Sequence, residues 1–288
     1  MIDKIRALIT LTKPTITLLV VVSGAAAVVM QGGFASNPIL FLTVLFLLAL
    51  AAGSANGLNQ YFERERDGRM ARTSKRRPLP TGKLTPNEAL VFSIVIGLSS
   101  VVGFILVFNW LSAALTLATI LFYSTYYTLY LKPRTPYNIV IGGAAGAMGP
   151  LIGWAAVTGS LSWTPWILFA IIFFWTPPHF WSLAICLQED YRKAKLPMMP
   201  NVVGEVRTWR KMTLYLYITY TFSLVLFAHD SGWIYLAGAI GAGAMFLYQF
   251  NRGKRMMKTP ETWKVFGYSI MYLLILFTFI IIDKSIIG

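Results

Sequence analysis

The chain has little of what soluble and secreted proteins depend on. Its one cysteine, Cys186, excludes an intramolecular disulfide and any paired-cysteine metal or haem-attachment motif. Charged residues fill only 12% of the 288 positions, about half the share usual in a soluble domain. Eleven residues are acidic and two are histidines, so chemistry built on clustered carboxylates or imidazoles has few places to reside. The hydrophobic stretches also lack a strict apolar–polar alternation, which argues against a transmembrane barrel.

What the chain does have is long apolar runs. Nine of them, at residues 15–30, 38–57, 89–108, 111–131, 137–157, 164–188, 212–228, 233–250 and 265–283, approach the roughly 20 residues that a helix needs to cross a bilayer. They predict an all-α integral membrane protein with nine transmembrane helices, as one domain over residues 1–288. On that layout 24 of the 25 Lys and Arg residues fall on one side and only Lys284 on the other. The positive-inside rule then puts the N-terminus in the cytoplasm and the C-terminus outside. Topology thus accounts for the net charge of +14, and no nucleic-acid partner is expected. All the acids except Asp230 and Asp283 lie on the cytoplasmic side, which is therefore the expected working face. Ahead of the first run, Ile2, Ile5 and Ile9 are spaced for a short helix lying in the membrane interface.

After the second run comes "NQYFERERDGRMARTSKRRPLPTG", Asn59 to Gly82. Asn59, Glu63 and Asp67 stand at i, i+4 and i+8, and on a helix each step drifts by only about 40°, so the three share a face. An amide oxygen and two carboxylates one turn apart suit a hard divalent ion such as Mg²⁺, which takes oxygen ligands and completes its shell with water and substrate phosphates. Glu65 falls on the opposite face. The bases that follow, among them Arg72 and Arg77, could bind phosphate oxygens left exposed by the metal. After the sixth run, "LQEDYRKAKLPMMPNVVG" repeats the pairing with Glu189 and Asp190 beside Arg192 and Lys193. Two acidic clusters with adjacent bases on one face point to metal-assisted binding of a polyanion such as a diphosphate.

With these motifs in view, the chain resembles the UbiA-type intramembrane prenyltransferases. The likeness rests on the N-x-x-x-E-x-x-x-D after the second run, the acidic patch after the sixth, and the nine spans. It narrows to the haem-farnesylating branch through Met70–Thr73, "LKPRTPYNIVIGGAAGAMGPLIGWAAVTG", "FWTPPHFWSLAI" and "EDYRKAKLPMMPNVVG". One departure is visible. Where UbiA enzymes at large carry D-x-x-x-D in the second motif, that register here holds Leu187 and Tyr191, with Glu189 and Asp190 between them.

The resemblance implies transfer of the farnesyl group of farnesyl diphosphate to a vinyl group of haem B, with loss of diphosphate and addition of water, to give haem O. Haem B is then a substrate, Mg²⁺ is the cofactor, and the enzyme sits in the cell membrane with its active face cytoplasmic. The resemblance implies metal binding at Asn59, Glu63 and Asp67, with Glu189 and Asp190 as candidates for a second ion. It implies diphosphate contacts from Arg72, Arg77, Lys132, Arg134, Arg192 and Lys193, of which the motifs favour Arg72 and Arg134. Protein partners compatible with it are the next haem-modifying enzyme and a terminal oxidase assembly factor. The competing readings are a UbiA-type enzyme acting on a quinone precursor or other aromatic acceptor, and a transporter. A transporter's site would lie at the bilayer midplane rather than at one edge.

Three further features remain open on the sequence. Tyr123, Tyr126, Tyr127 and Tyr130 supply either aromatic faces for an allyl cation or ordinary interfacial anchors. Gly142, Gly143, Gly146 and Gly149 favour close helix packing over room for a flat porphyrin. His179 follows Pro177-Pro178, which should bend its helix. It stands about 16 Å along a helix from Asp190, where it could ligate haem iron, position the vinyl group, or hydrogen-bond to a neighbouring helix.

Overall fold

The computed structural model describes residues 2–32 and 37–287, and all regular secondary structure among them is helical. In chain order the helices are α1 (Ile2–Leu11), α2 (Pro14–Met30), α3 (Pro38–Gly68), α4 (Ala71–Ser74), α5 (Pro86–Val107) and α6 (Trp110–Leu121), followed by a π-helical continuation, Phe122–Leu131. Then come α7 (Asn138–Gly146), α8 (Met148–Thr158), α9 (Trp163–Cys186), α10 (Gln188–Lys193), α11 (Met199–Val203), α12 (Glu205–Asp230), α13 (Trp233–Met256) and α14 (Thr259–Ile287). Among the described residues seven helices, with α7 and α8 taken as one, are long and apolar enough to cross a membrane. The pair α1–α2, bent by 54°, raises that to eight. The fourth expected run is filled by α6 and the π-helical stretch, 12 and 10 residues end to end.

Helix starts follow local chemistry. Proline occupies the first turn of α2, α3 and α5, where a missing N–H costs nothing. The Asn37 and Asn109 side chains accept from Leu40 N and Ser112 N at the starts of α3 and α6. Thr85 and Glu88 close a reciprocal capping box on α5. Pro177 and Pro178, expected to bend the sixth run, both lie within α9, which runs from Trp163 to Cys186.

Among the described residues, two apolar clusters carry most of the bundle's core, beside two minor ones. The larger is built mainly from α9, α12, α13 and α14, with Trp181, Trp209, Tyr272 and Phe277 fully buried. The smaller joins α2, α3, α5, α6 and α8 around Leu48 and Phe104. Small residues let α2 meet α8 closely: a Cβ on Gly153 would sit 2.8 Å from the Gly24 carbonyl, and one on Gly149 2.7 Å from that of Val20. Gly142 likewise admits the Tyr127 ring, and Gly143 the Thr176 side chain. Three of the four glycines therefore serve packing, while Gly146 faces open space. α1 buries Ala7 and Leu11 but exposes Ile2, Ile5 and Ile9, the apolar surface expected of an interfacial helix.

Candidate active site

The C-terminal end of α3 is where the chain gathers its polar groups. Asn59, Glu63 and Asp67 are all buried, on the shared face that their spacing predicts. Just beyond, the Thr73 hydroxyl donates to the Asp67 carbonyl at 2.7 Å. The Arg77 backbone N–H then donates to the Thr73 carbonyl at 3.0 Å. These bonds satisfy a carbonyl at the open end of α3 and turn the chain back on itself. Arg77 thereby returns to Asp67, with which its guanidinium pairs directly, and it lies 3.7 Å from Glu63.

A second cation arrives from the π-helical stretch. Its wider turns, with Lys132 N donating to the Tyr127 carbonyl, end at Lys132, whose ammonium pairs with Glu63 at 2.5 Å. The same stretch presents Thr128, whose hydroxyl accepts from Asn59 Nδ2 at 2.9 Å. The opposite end of that amide, Oδ1, accepts from Lys13 Nζ at 3.2 Å. The Asn59 amide is thus held from both sides. Tyr123 and Tyr127 stack on each other, centroids 5.2 Å apart, and the Lys132 ammonium lies over the Tyr127 ring at 6.0 Å.

Tyr191 on α10 closes the site, and a small cavity of about 30 Å³ is lined by Glu63, Asp67, Arg66, Arg72, Arg77 and Lys132 together with Tyr191. Arg77 and Lys132 lie across it, paired with the carboxylates. Burial pushes the Tyr191 phenol above its ordinary range, and the Arg72 charge pulls it partly back. From the second acidic cluster, Asp190 reaches the first motif: its carboxylate accepts a long 3.4 Å contact from the Arg72 backbone N–H.

The remaining expected residues are not brought to the carboxylates. The Glu189 side chain is 70% exposed and pairs with Arg192 on its own short helix, and Lys193 is exposed. Arg134 is exposed, donates to the carbonyls of Leu129 and Tyr130, and stacks on the Tyr130 ring. His179 bonds to a neighbouring helix. Its ring lies between Trp175 and Phe266, at 4.3 and 4.5 Å, with Nδ1 2.7 Å from the Ser269 hydroxyl. That hydroxyl also lies 2.6 Å from the Phe266 carbonyl, so His179 Nδ1 and the carbonyl share one hydroxyl group.

The donor set fits a hard divalent cation. Asn59 Oδ1 and the two carboxylates put oxygen donors, the type Mg²⁺ selects, on one buried face. Among the described residues no three His, Cys, Asp or Glu side chains gather as a metal cage. An ion here would complete its shell with water and substrate oxygens. Lys13, Thr128 and Tyr191 are components that sequence reasoning did not assign to the site. Lys13 counts there only among the cytoplasmic-side bases, and nothing in a tyrosine-rich run signals π-helical winding.

The UbiA prenyltransferase family matches residues 18–277. The chain is 47% identical over 285 residues to a protoheme IX farnesyltransferase from Clavibacter michiganensis subsp. michiganensis, covering 97% of this chain and 92% of that protein. It is 44% identical over 279 residues to one from Gloeobacter violaceus, covering 95% and 90%. Its fold is similar to that of a digeranylgeranylglyceryl phosphate synthase, with a TM-score of 0.78 at 18% identity over 98% and 99% of the two chains. It is also similar to a UbiA homologue from Archaeoglobus fulgidus bound to GPP and Mg²⁺, with a TM-score of 0.66 at 15% identity over 95% and 99%. The chain is an integral membrane enzyme that belongs to the UbiA prenyltransferase family.

Proposed function

We propose that this enzyme transfers the farnesyl group of farnesyl diphosphate to a vinyl group of haem B, adding water, to make haem O. The observation that carries the diphosphate half is the charge balance at the end of α3. Two buried carboxylates face Arg77, Lys132 and Lys13, with Arg66 and Arg72 at the rim, more positive charge than they neutralise. A divalent ion on the oxygens and a diphosphate on the bases would satisfy both sets. The haem half is supported by the relatives, named protoheme IX farnesyltransferases, that match nearly the whole chain.

In this reading Asn59, Glu63 and Asp67 hold Mg²⁺, with Asp190 as a candidate outer partner. The ion, when bound, supplies Lewis-acid stabilisation of the departing diphosphate. Arg77, Lys132 and Arg72 bind the diphosphate oxygens as negative charge builds on them. The allylic C–O bond breaks with its electron pair going to diphosphate. The vinyl terminal carbon of haem B then bonds to farnesyl C1, and the carbon next to the porphyrin takes up water oxygen with loss of a proton. The stacked Tyr123 and Tyr127 rings are placed to shield a cationic farnesyl chain. His179, whose Nδ1 faces Ser269, is a candidate haem-iron ligand through Nε2.

We also propose that the chain forms one domain with nine crossings, its N-terminus and acidic site on the cytoplasmic side of the cell membrane. Purified protein given farnesyl diphosphate, Mg²⁺ and either haem B or an aromatic acid acceptor tests the acceptor. A haem product heavier by farnesyl plus water is expected. Turnover with the aromatic acceptor alone would keep the diphosphate site and discard haem.

A further inference from the structure

A groove of about 560 Å³ lies away from the carboxylates, between the interfacial helix α1 and the start of α5. Its floor is Leu8, Leu84 and Phe92, which belong to a small apolar cluster with Ala7, Leu11 and Ala89. Val91 and Val95 line it from α5 and are 60% and 53% exposed. With Asn87 they stand at i, i+4 and i+8, so one face of α5 borders the groove for about 12 Å. Charge is confined to one end. There Lys4 of α1 pairs with Glu88 Oε1 at 2.5 Å, across 84 positions of chain. The other Glu88 oxygen closes the capping box on Thr85.

The surroundings decide what can fill it. α1 turns Ile2, Ile5 and Ile9 outward, and α5 exposes Val91, Val95, Leu98 and Val102 along a membrane-spanning length. The groove therefore opens on the bilayer. A helix with its side chains occupies roughly 120 Å³ per residue, so little more than one turn of a partner helix or of a second copy would fit. A lipid matches the layout better, apolar along its length and charged only at its head. Packing alone would not select one lipid, because bilayer chains are as apolar as the groove. Selection falls to the ion pair. A phosphate beside Lys4 and an ammonium beside Glu88 turn one charge pair into two without adding net charge. A head carrying only negative charge would satisfy Lys4 but oppose Glu88.

We propose that the groove between α1 and α5 binds one zwitterionic phospholipid with a primary-amine head. Its acyl chain lies along Leu84, Val91 and Val95, its phosphate on Lys4 and its ammonium on Glu88. The amine matters because an ammonium has N–H donors for the carboxylate, whereas a trimethylated head has none. The bound lipid ties the interfacial helix to α5. Bulk electrostatics favours the opposite choice, since a chain of net charge +14 attracts anionic lipids.

The test is native mass spectrometry of the detergent-purified full chain, with thermal melting as the fold control. Phosphatidylethanolamine, phosphatidylcholine and phosphatidylglycerol with the same acyl chains are supplied in equal amounts, and the lipids retained are counted. One phosphatidylethanolamine is expected to be held about fivefold more strongly than either competitor, the effect of one added charge pair at an exposed site. Glu88→Gln keeps the capping box but removes the charge, and should cancel that preference. Val95→Trp fills the apolar length and should cancel it too, by excluding the acyl chain. Equal or stronger retention of either competitor by wild type, or no retained lipid, overturns the proposal. A preference that survives in either folded variant overturns it as well. So does a lipid-free dimer that Val95→Trp dissociates, because a second copy is then the occupant. Should Glu88→Gln lose its fold, Val95→Trp carries the test alone.

Discussion

The two acidic clusters differ less in composition than in where the chain leaves them. Each pairs carboxylates with nearby bases. The first is carried on a long helix whose register puts Glu63 and Asp67 on one buried face. Loops and helices from four other parts of the chain then close over it, bringing Arg77, Lys132, Lys13 and Tyr191. The second sits on a six-residue helix, where consecutive positions point apart. Asp190 turns toward the first motif, and Glu189 turns outward to Arg192. A charge pair at an exposed surface contributes little, whereas carboxylates buried among cations interact strongly and can be spent on chemistry. The difference between the clusters is burial, and burial follows from the length and register of the helix that carries them.

That contrast can be broken by substitution, and the effects should fall in a set order. Asp67→Ala removes a proposed oxygen ligand and the partner of Arg77. Turnover should drop by roughly a thousandfold or more, with the protein still inserted and folded but melting lower than wild type, read by a haem-product assay and a melting curve. Chelation of divalent ions should have the same effect on wild type and be reversed by added Mg²⁺, which the same assay follows. Arg77→Met leaves Asp67 without its direct partner in a site with little water. It should cost about 3 kcal/mol of stability, seen as a lower melting temperature, and roughly a hundredfold in turnover. Asp190→Asn, at the edge of the site, should lower turnover by roughly tenfold and raise the Mg²⁺ concentration for half-maximal rate. Glu189→Ala, on the exposed face, should change neither rate nor melting by more than about the effect of an ordinary surface pair. A large loss in Glu189→Ala would erase the distinction between the clusters.

Much of this site was legible in the sequence. Helical spacing alone puts Asn59, Glu63 and Asp67 on one face, and the structure places them so. The run of bases after them contains Arg77, which does return. Its return depends on the Thr73 hydroxyl bonding back to Asp67, a contact that spacing does not reveal. The apolar runs mark the membrane helices, and the preference for packing at Gly142, Gly143 and Gly149 matches the close approaches found there. Other parts were hidden for physical reasons. Glu189, Arg134, Arg192 and Lys193 belong to the right motifs, but a short helix and an exposed turn point them away. Lys13 lies 46 residues from Asn59 in the chain and meets it across the bend between α1 and α2. The π-helical winding that presents Thr128 and Lys132 has no sequence marker. His179 shows the same limit: its neighbours on α14, Phe266 and Ser269, are 87 and 90 positions away along the chain.

The central claim is that the buried cluster at the end of α3 performs the transfer of a prenyl group to haem. Wild type and Asp67→Asn, which nearly preserves shape while removing the charge, should be given haem B, farnesyl diphosphate and Mg²⁺ side by side, with the pigments analysed by mass spectrometry. The account predicts a magnesium-dependent haem heavier by farnesyl plus water from wild type and none from the variant. The same product at a near-normal rate from a folded Asp67→Asn would contradict it.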